Sequence, residues 1–165
     1  MKHTVSALVE NHPGVLYRVA GLIARRGYNI ASLAASATEE EGLTRISIVV
    51  DVNDERELEQ IQDQLSKLVE VIHVVNMTQI DHVSREMALV KVNAGEEHRA
   101  DITNLVAIFR AKIIDVHPDS LVLEVTGDVG KVDAFCEMMR KYGIIEIIRT
   151  GEIFISRSPK RLIDN

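Results

Sequence analysis

The sequence predicts an α+β protein built as two tandem βαββαβ units, and three observations carry that prediction. Apolar residues recur with periods that alternate between about 2 and about 3.6 residues. Glycine and proline punctuate the changes of period, and the element order read over residues 1–80 returns over residues 81–165.

Residues 3–10 read as a strand that ends at Asn11-His12-Pro13-Gly14, where proline fixes the backbone and glycine frees it. A helix follows, because Val15, Leu16, Val19, Leu22 and Ile23 share one helical stripe while Arg18, Arg25 and Arg26 fall elsewhere. Gly27 suits a left-handed cap, and the two arginines before it suit the negative end of the helix dipole. From Tyr28-Asn29-Ile30 a strand runs to about Ala37, a charged turn comes at Glu39-Glu40-Glu41-Gly42, and Ile46, Ile48, Val50 and Val52 then alternate as the second arm of a hairpin. Leu58, Ile61, Leu65 and Leu68 place a second amphipathic helix over 54–67, and Val69 to Ile80 reads as the fourth strand.

The second half follows suit. A strand at Met87–Val92 precedes a helix carrying Ile102, Leu105, Val106 and Phe109, then strands near Ile113–Val116 and Leu121–Thr126. A helix carrying Val132, Phe135, Cys136 and Met139 and a last strand from Ile144 complete it. Units of this size and order are ferredoxin-like, with two helices on one face of an antiparallel sheet. Strand residues of both parities are often apolar, such as Ile72 and Val74 against Val71 and Val75, so the other face of each sheet needs cover from a second copy or a partner.

Composition narrows the function. Among 165 residues, 19 Lys and Arg face 25 Asp and Glu, a net charge of -6 that argues against a broad nucleic-acid or anionic-membrane footprint. No apolar run approaches the roughly 20 residues needed to span a bilayer, and the start of the chain lacks the pattern of a signal peptide, so a cytoplasmic protein is expected. Cys136 is the single cysteine, which excludes an internal disulfide and suits core packing.

Signatures of catalysis fail on physical grounds. Gly127 to Val132 has the flavour of a phosphate-binding loop, but its glycines are too close and Val132 has no hydroxyl for magnesium; Asp128 as a helix cap explains it better. Asp51, Asn53 and Glu55 have a calcium-loop spacing, yet Arg56 stands where that loop needs glycine. The six histidines form no helical pair and lie near no cysteine, and there is no Gly-x-Ser-x-Gly elbow, so no metal site is expected. Glu39-Glu40-Glu41 reads as a solvated hairpin tip. The basic tail Ser156 to Arg161 reads as a solvated terminus, the alternative being a contact with an acidic partner surface.

What remains is the loop Glu10 to Leu16. A helix N-terminus gathers backbone N–H groups for an anion, and Gly14 lets a ligand approach the main chain. Asn11 offers a carbonyl to an ammonium group, while Val15, Leu16 and Ile30 suit a small apolar side chain. Those are the needs of an aliphatic amino acid. The loop alone is better explained by Asn11 capping the helix and Gly14 shaping the turn.

The run Val9 to Leu22, continuing through Arg25-Arg26-Gly27-Tyr28-Asn29-Ile30-Ala31-Ser32-Leu33, resembles the ACT domain of acetolactate synthase (acetohydroxyacid synthase) small, regulatory subunits. Arg85 to Val92, Ile108 to Val116 and Gly130 to Phe135 resemble the C-terminal half of the same family. The resemblance implies an ACT domain over 1–80 and the C-terminal domain of the small subunit over 81–165. It also implies a chain that does no chemistry itself and carries no cofactor. Its partner would be a catalytic subunit that uses thiamine diphosphate, magnesium and FAD to condense pyruvate with pyruvate or 2-oxobutyrate, in branched-chain amino-acid biosynthesis. The small subunit would activate that partner and confer feedback inhibition by valine or a related amino acid. In the family, ACT domains pair side by side as a homodimer with the effector at their interface, which maps onto Asn11, Gly14, Val15 and Leu16 facing Asn29 and Ile30. Two other readings stay open: a stand-alone tandem-ACT sensor that regulates another enzyme or transcription, and a small enzyme on a ferredoxin-like fold.

Overall fold

The computed structural model describes residues 1–161. They form two compact units, Met1–Val83 together with the segment from Ile153, and Ser84–Glu152. In the first unit, β1 (Lys2–Glu10), α1 (Val15–Arg25), β2 (Asn29–Ala37), β3 (Leu43–Asp51), α2 (Glu55–Leu65) and β4 (Val71–Asn76) follow in order. A 3-10 turn, Met77–Gln79, closes the unit where a longer fourth strand was expected; the Asn76 side chain accepts from the Thr78 N–H at 3.0 Å and ends the strand there. The second unit holds most of β5 (His82–Asn93), then α3 (Glu96–Ile108), β6 (Lys112–His117), β7 (Ser120–Gly127), α4 (Val129–Arg140) and β8 (Ile144–Arg149).

Both sheets have the same strand order. The first runs β2-β3-β1-β4 and the second β6-β7-β5-β8, with the short β9 (Ile153–Ser156) also paired to β5. This is the ferredoxin-like arrangement, antiparallel along each principal ladder, twice over.

Register decides what each core contains. In the first sheet Val5 lies opposite Ile48 and Ala7 opposite Ile46. This parity faces Val15, Val19, Leu22 and Ile23 of α1 and Leu58, Ile61 and Leu65 of α2 in one buried cluster. In the second, Ala88, Val90 and Val92 lie opposite Val125, Leu123 and Leu121 and pack on Ile102 and Val106 of α3 and on Val132, Phe135, Cys136 and Met139 of α4. Phe109 meets Phe135 edge to face, with ring centroids 5.4 Å apart.

Local chemistry sets the helix ends. Asp54 caps α2 by accepting from the Glu57 N–H at 3.0 Å, while the Glu57 carboxylate accepts from the Asn53 N–H at 2.8 Å, a reciprocal cap. Asp128 caps α4 as expected, accepting from the Lys131 N–H at 2.8 Å. The Lys131 ammonium donates to the Thr126 carbonyl at 2.8 Å, so the lysine that gave this segment its phosphate-loop look is tied to the strand before it.

The faces turned away from the helices differ. On the first sheet, Val49, Met77 and Phe154 form a second small buried cluster with Val75 and Ile80 against it. The sequence places everything after residue 80 in a second domain, but the segment from Ile153 belongs to the first unit. The physical reason is Phe154, which covers apolar surface on β3 that no helix reaches. On the second sheet, Leu89 lies opposite Ile148, which is 59% exposed.

Two outcomes are expected from this packing. Phe135→Ala removes the largest fully buried side chain of the second unit and should cost about 3–5 kcal/mol, read as a shifted midpoint in chemical denaturation. Burial pushes the Cys136 thiol up, against a smaller opposite pull from Arg149. A thiol reagent should therefore leave the native protein untouched at neutral pH and label it only on unfolding, and rapid labelling of the native chain would show the thiol to be accessible.

Candidate functional site

The loop from Glu10 to Gly14 is held by backbone bonds to two other segments. The Glu10 N–H donates to the Glu70 carbonyl at 2.8 Å, and the Asn11 N–H donates to the Gly42 carbonyl in the β2–β3 turn at 2.7 Å. The Glu70 carboxylate, only 14% exposed, receives Arg18 of α1 at 2.8 Å and so ties the helix to the start of β4. His12 stands 3.1 Å from the Glu10 carboxylate.

Gly14 is the N-cap of α1 and sits at φ +90°, a conformation that L side chains seldom adopt. No side chain caps the helix. The Val15 N–H has a long bond of 3.3 Å to the His12 carbonyl, and the N–H groups of the next turn carry the positive end of the helix dipole outward. Asn11 is exposed and does not cap, so the purely structural role that the sequence allowed it is not the one it has.

Two side chains differ from expectation. Val15 is 3% exposed and belongs to the first core, so it does not line a pocket; only its backbone is available at the loop. Its neighbour Leu16, one residue round the helix, is 44% exposed. A helix surface turns by about 100° per residue, and Val19 and Ile23 set the buried phase that takes Val15 inward and leaves Leu16 outside.

Asn29 and Ile30 lie elsewhere in the unit. Asn29 pairs with Asp51 and Ile30 with Val50, whereas Glu10, just before the loop, pairs with Leu43 at the other end of β3. That separation along β3 is about 27 Å at the usual rise per strand residue. Within one protomer the structure therefore brings Asn11, Gly14 and Leu16 together and keeps Asn29 and Ile30 at the opposite end of the sheet. Gly42 and Glu70, which hold the loop, could not be found in the sequence, since they come from segments distant along the chain.

A second polar cluster lies in the second unit. Arg149 donates to both carboxylate oxygens of Glu86, at 2.9 and 2.6 Å, and to Asp133 at 2.7 Å. Glu86 is 5% exposed and relies on that bidentate partner, while the same hydrogen bonds hold the guanidinium more firmly protonated than usual. The guanidinium ties β5, β8 and α4 together. Among the described residues no group of three or more His, Cys, Asp or Glu side chains could hold a metal ion, and no helix is long and apolar enough to cross a membrane.

Comparison with known proteins agrees with this architecture. Residues 5–73 match the family described as the AHAS small subunit-like ACT domain, and residues 85–158 match the family described as the small subunit of acetolactate synthase. A protein of Archaeoglobus fulgidus named as a probable acetolactate synthase small subunit is 50% identical over 161 residues, covering 98% of this chain and all of that one. The acetolactate synthase small subunit of Mycolicibacterium smegmatis is 48% identical, covering 96% of this chain and 92% of its own. The crystal structure of the small subunit from Thermotoga maritima superposes with a TM-score of 0.87 at 42% identity, over 97% of this chain and 99% of the other. With both halves matched, relatives near half identical along the whole length and a common fold, the chain belongs to the family of acetolactate synthase small, regulatory subunits.

Proposed function

We propose that this chain activates a separate thiamine-diphosphate-dependent catalytic subunit in the cytoplasm and brings it under feedback inhibition by valine or a related branched-chain amino acid. The chain performs no turnover itself; thiamine diphosphate, magnesium and FAD belong to the catalytic partner. The observation that carries this reading is the α1 N-terminus, open behind a left-handed glycine and lacking any side-chain cap. A carboxylate there would accept from the N–H groups at Gly14 to Leu16, where charge and geometry favour an anion. Asn11 and Asn29 would take the ammonium group, and Ile30 with the exposed part of Leu16 would take the aliphatic side chain.

Two copies are needed to assemble such a pocket, because one copy holds its halves at opposite ends of β3. β2 is one of the two edge strands of the first sheet. Laying two β2 edges antiparallel about a two-fold axis sets Asn29 of one protomer beside the Ala37 end of the other, the end at which the Gly14 loop lies. An effector working near 0.1 mM gains about 5.5 kcal/mol on binding. A coupling of about 1–3 kcal/mol from that total is enough to change the partner's activity at least several-fold.

Isothermal titration with L-valine tests the site. Wild-type chain should bind saturably, and Gly14→Asp should weaken binding more than tenfold, by placing a carboxylate where that of the effector sits. Nothing lies within 4 Å of a Cβ at this position, but any side chain strains backbone at φ +90°, so Gly14→Ala is the control: it carries the same strain without the carboxylate and should keep more valine affinity than Gly14→Asp. Undiminished binding by Gly14→Asp would sink the proposal. Sedimentation gives a second test: valine should shift the protein toward the dimer, and equal affinity for monomer and dimer would rule out a pocket shared by two protomers.

A further inference from the structure

The C-terminal segment does more in the first unit than cover Val49. Beyond Phe154, the Arg157 N–H donates to the Asp81 carbonyl at 3.0 Å and its guanidinium meets the Asp81 carboxylate at 3.2 Å. Two short serine-centred turns follow, in which the Ser158 N–H donates to Ser156 Oγ at 3.0 Å and the Lys160 N–H donates to Ser158 Oγ at 3.2 Å. They lead to Arg161, whose guanidinium pairs with the Glu40 carboxylate beside a small depression lined by Leu8, Thr38, Leu43 and Arg45. The basic tail that the sequence leaves in solvent thus meets the acidic hairpin tip of its own chain.

Glu40 belongs to a braced turn. Its N–H donates to Thr38 Oγ1 at 3.1 Å, the Thr38 hydroxyl donates to its carbonyl at 3.1 Å, and the same carbonyl accepts from the Leu43 N–H at 3.3 Å. Gly42, inside that turn, is the residue whose carbonyl holds Asn11. We propose that the C-terminal tail is a latch on the effector loop. Through Arg161 and Glu40 it steadies residues 38–43, and through the bond from Asn11 to Gly42 that turn steadies the loop; letting the tail go loosens the loop and weakens effector binding. The consequence for the effector rests on the function proposed above, whereas the latch itself does not.

The ion pair is half exposed, so its effect is modest and falls with added salt. A change of roughly two- to fivefold is expected, the range that exposed ion pairs command. It tunes the site and does not switch it.

The test uses the full chain as wild type, Arg161→Glu, Glu40→Arg and the double exchange, with two readouts. Amide hydrogen exchange at Asn11 should quicken two- to fivefold in each single variant, and L-valine affinity by titration should fall by a similar factor. The double exchange should restore both, as a merely destabilising change would not. Unaltered exchange in Arg161→Glu, or no restoration in the double exchange, overturns the latch. Altered exchange with unaltered valine affinity overturns its link to the effector. If wild-type chain takes up no valine, the effector site itself is wrong, and exchange at Asn11 alone decides the latch.

Discussion

The antiparallel ladder between β1 and β3, running from Lys2 opposite Asp51 to Glu10 opposite Leu43, is the constraint on which the first unit depends. Its parity sends Val5, Ala7 and Val9 to the helices with Ile46, Ile48 and Val50, and leaves Leu8 and Val49 on the far side. A slip of one residue would exchange those sets and dissolve both clusters together. The same ladder sets the distance between the Gly14 loop and Asn29, and so determines that a single chain cannot bring them together.

Fold and site were legible in the sequence to different depths. Alternation at Ile46, Ile48 and Val50, the Asp128 cap and the left-handed Gly27 are local signals, and each appears in the structure where its chemistry requires it. Val15 and Leu16 show the limit of such reading: adjacent apolar residues at a helix start both fit the stripe, and only packing against the sheet settles which is buried. Nothing local in Ile153-Phe154-Ile155 says which apolar surface it will cover, because Val49, Val75 and Met77 stand far earlier in the chain. The bonds from Asn11 to Gly42 and from Glu10 to Glu70 are equally invisible, being backbone contacts without a residue-type signature.

Surfaces that look chemical in the sequence prove to be tied up in holding structure. Lys131 is bonded to Thr126, and the Asn53 side chain, which gave its segment a calcium-loop spacing, donates to Glu57 at 3.1 Å. Glu86, buried with Arg149, is the one deeply placed carboxylate among these clusters, and removing its arginine would leave a charge without solvent or partner. The main chain at the start of α1 has no side-chain cap. An anion placed there would cost no side-chain rearrangement.

The return of the chain to its first unit bears on how the protein is made. Domains tend to close in order as they leave the ribosome, at about 5–20 residues per second. Here the helix-side core of the first unit can form once Val83 has emerged, but Phe154 is synthesised roughly 70 residues later, several seconds at that pace. In that interval the patch around Val49 and Met77 stands bare while the second unit is still being translated. For those roughly 70 residues the nascent chain carries an exposed apolar strip, which Phe154 then conceals.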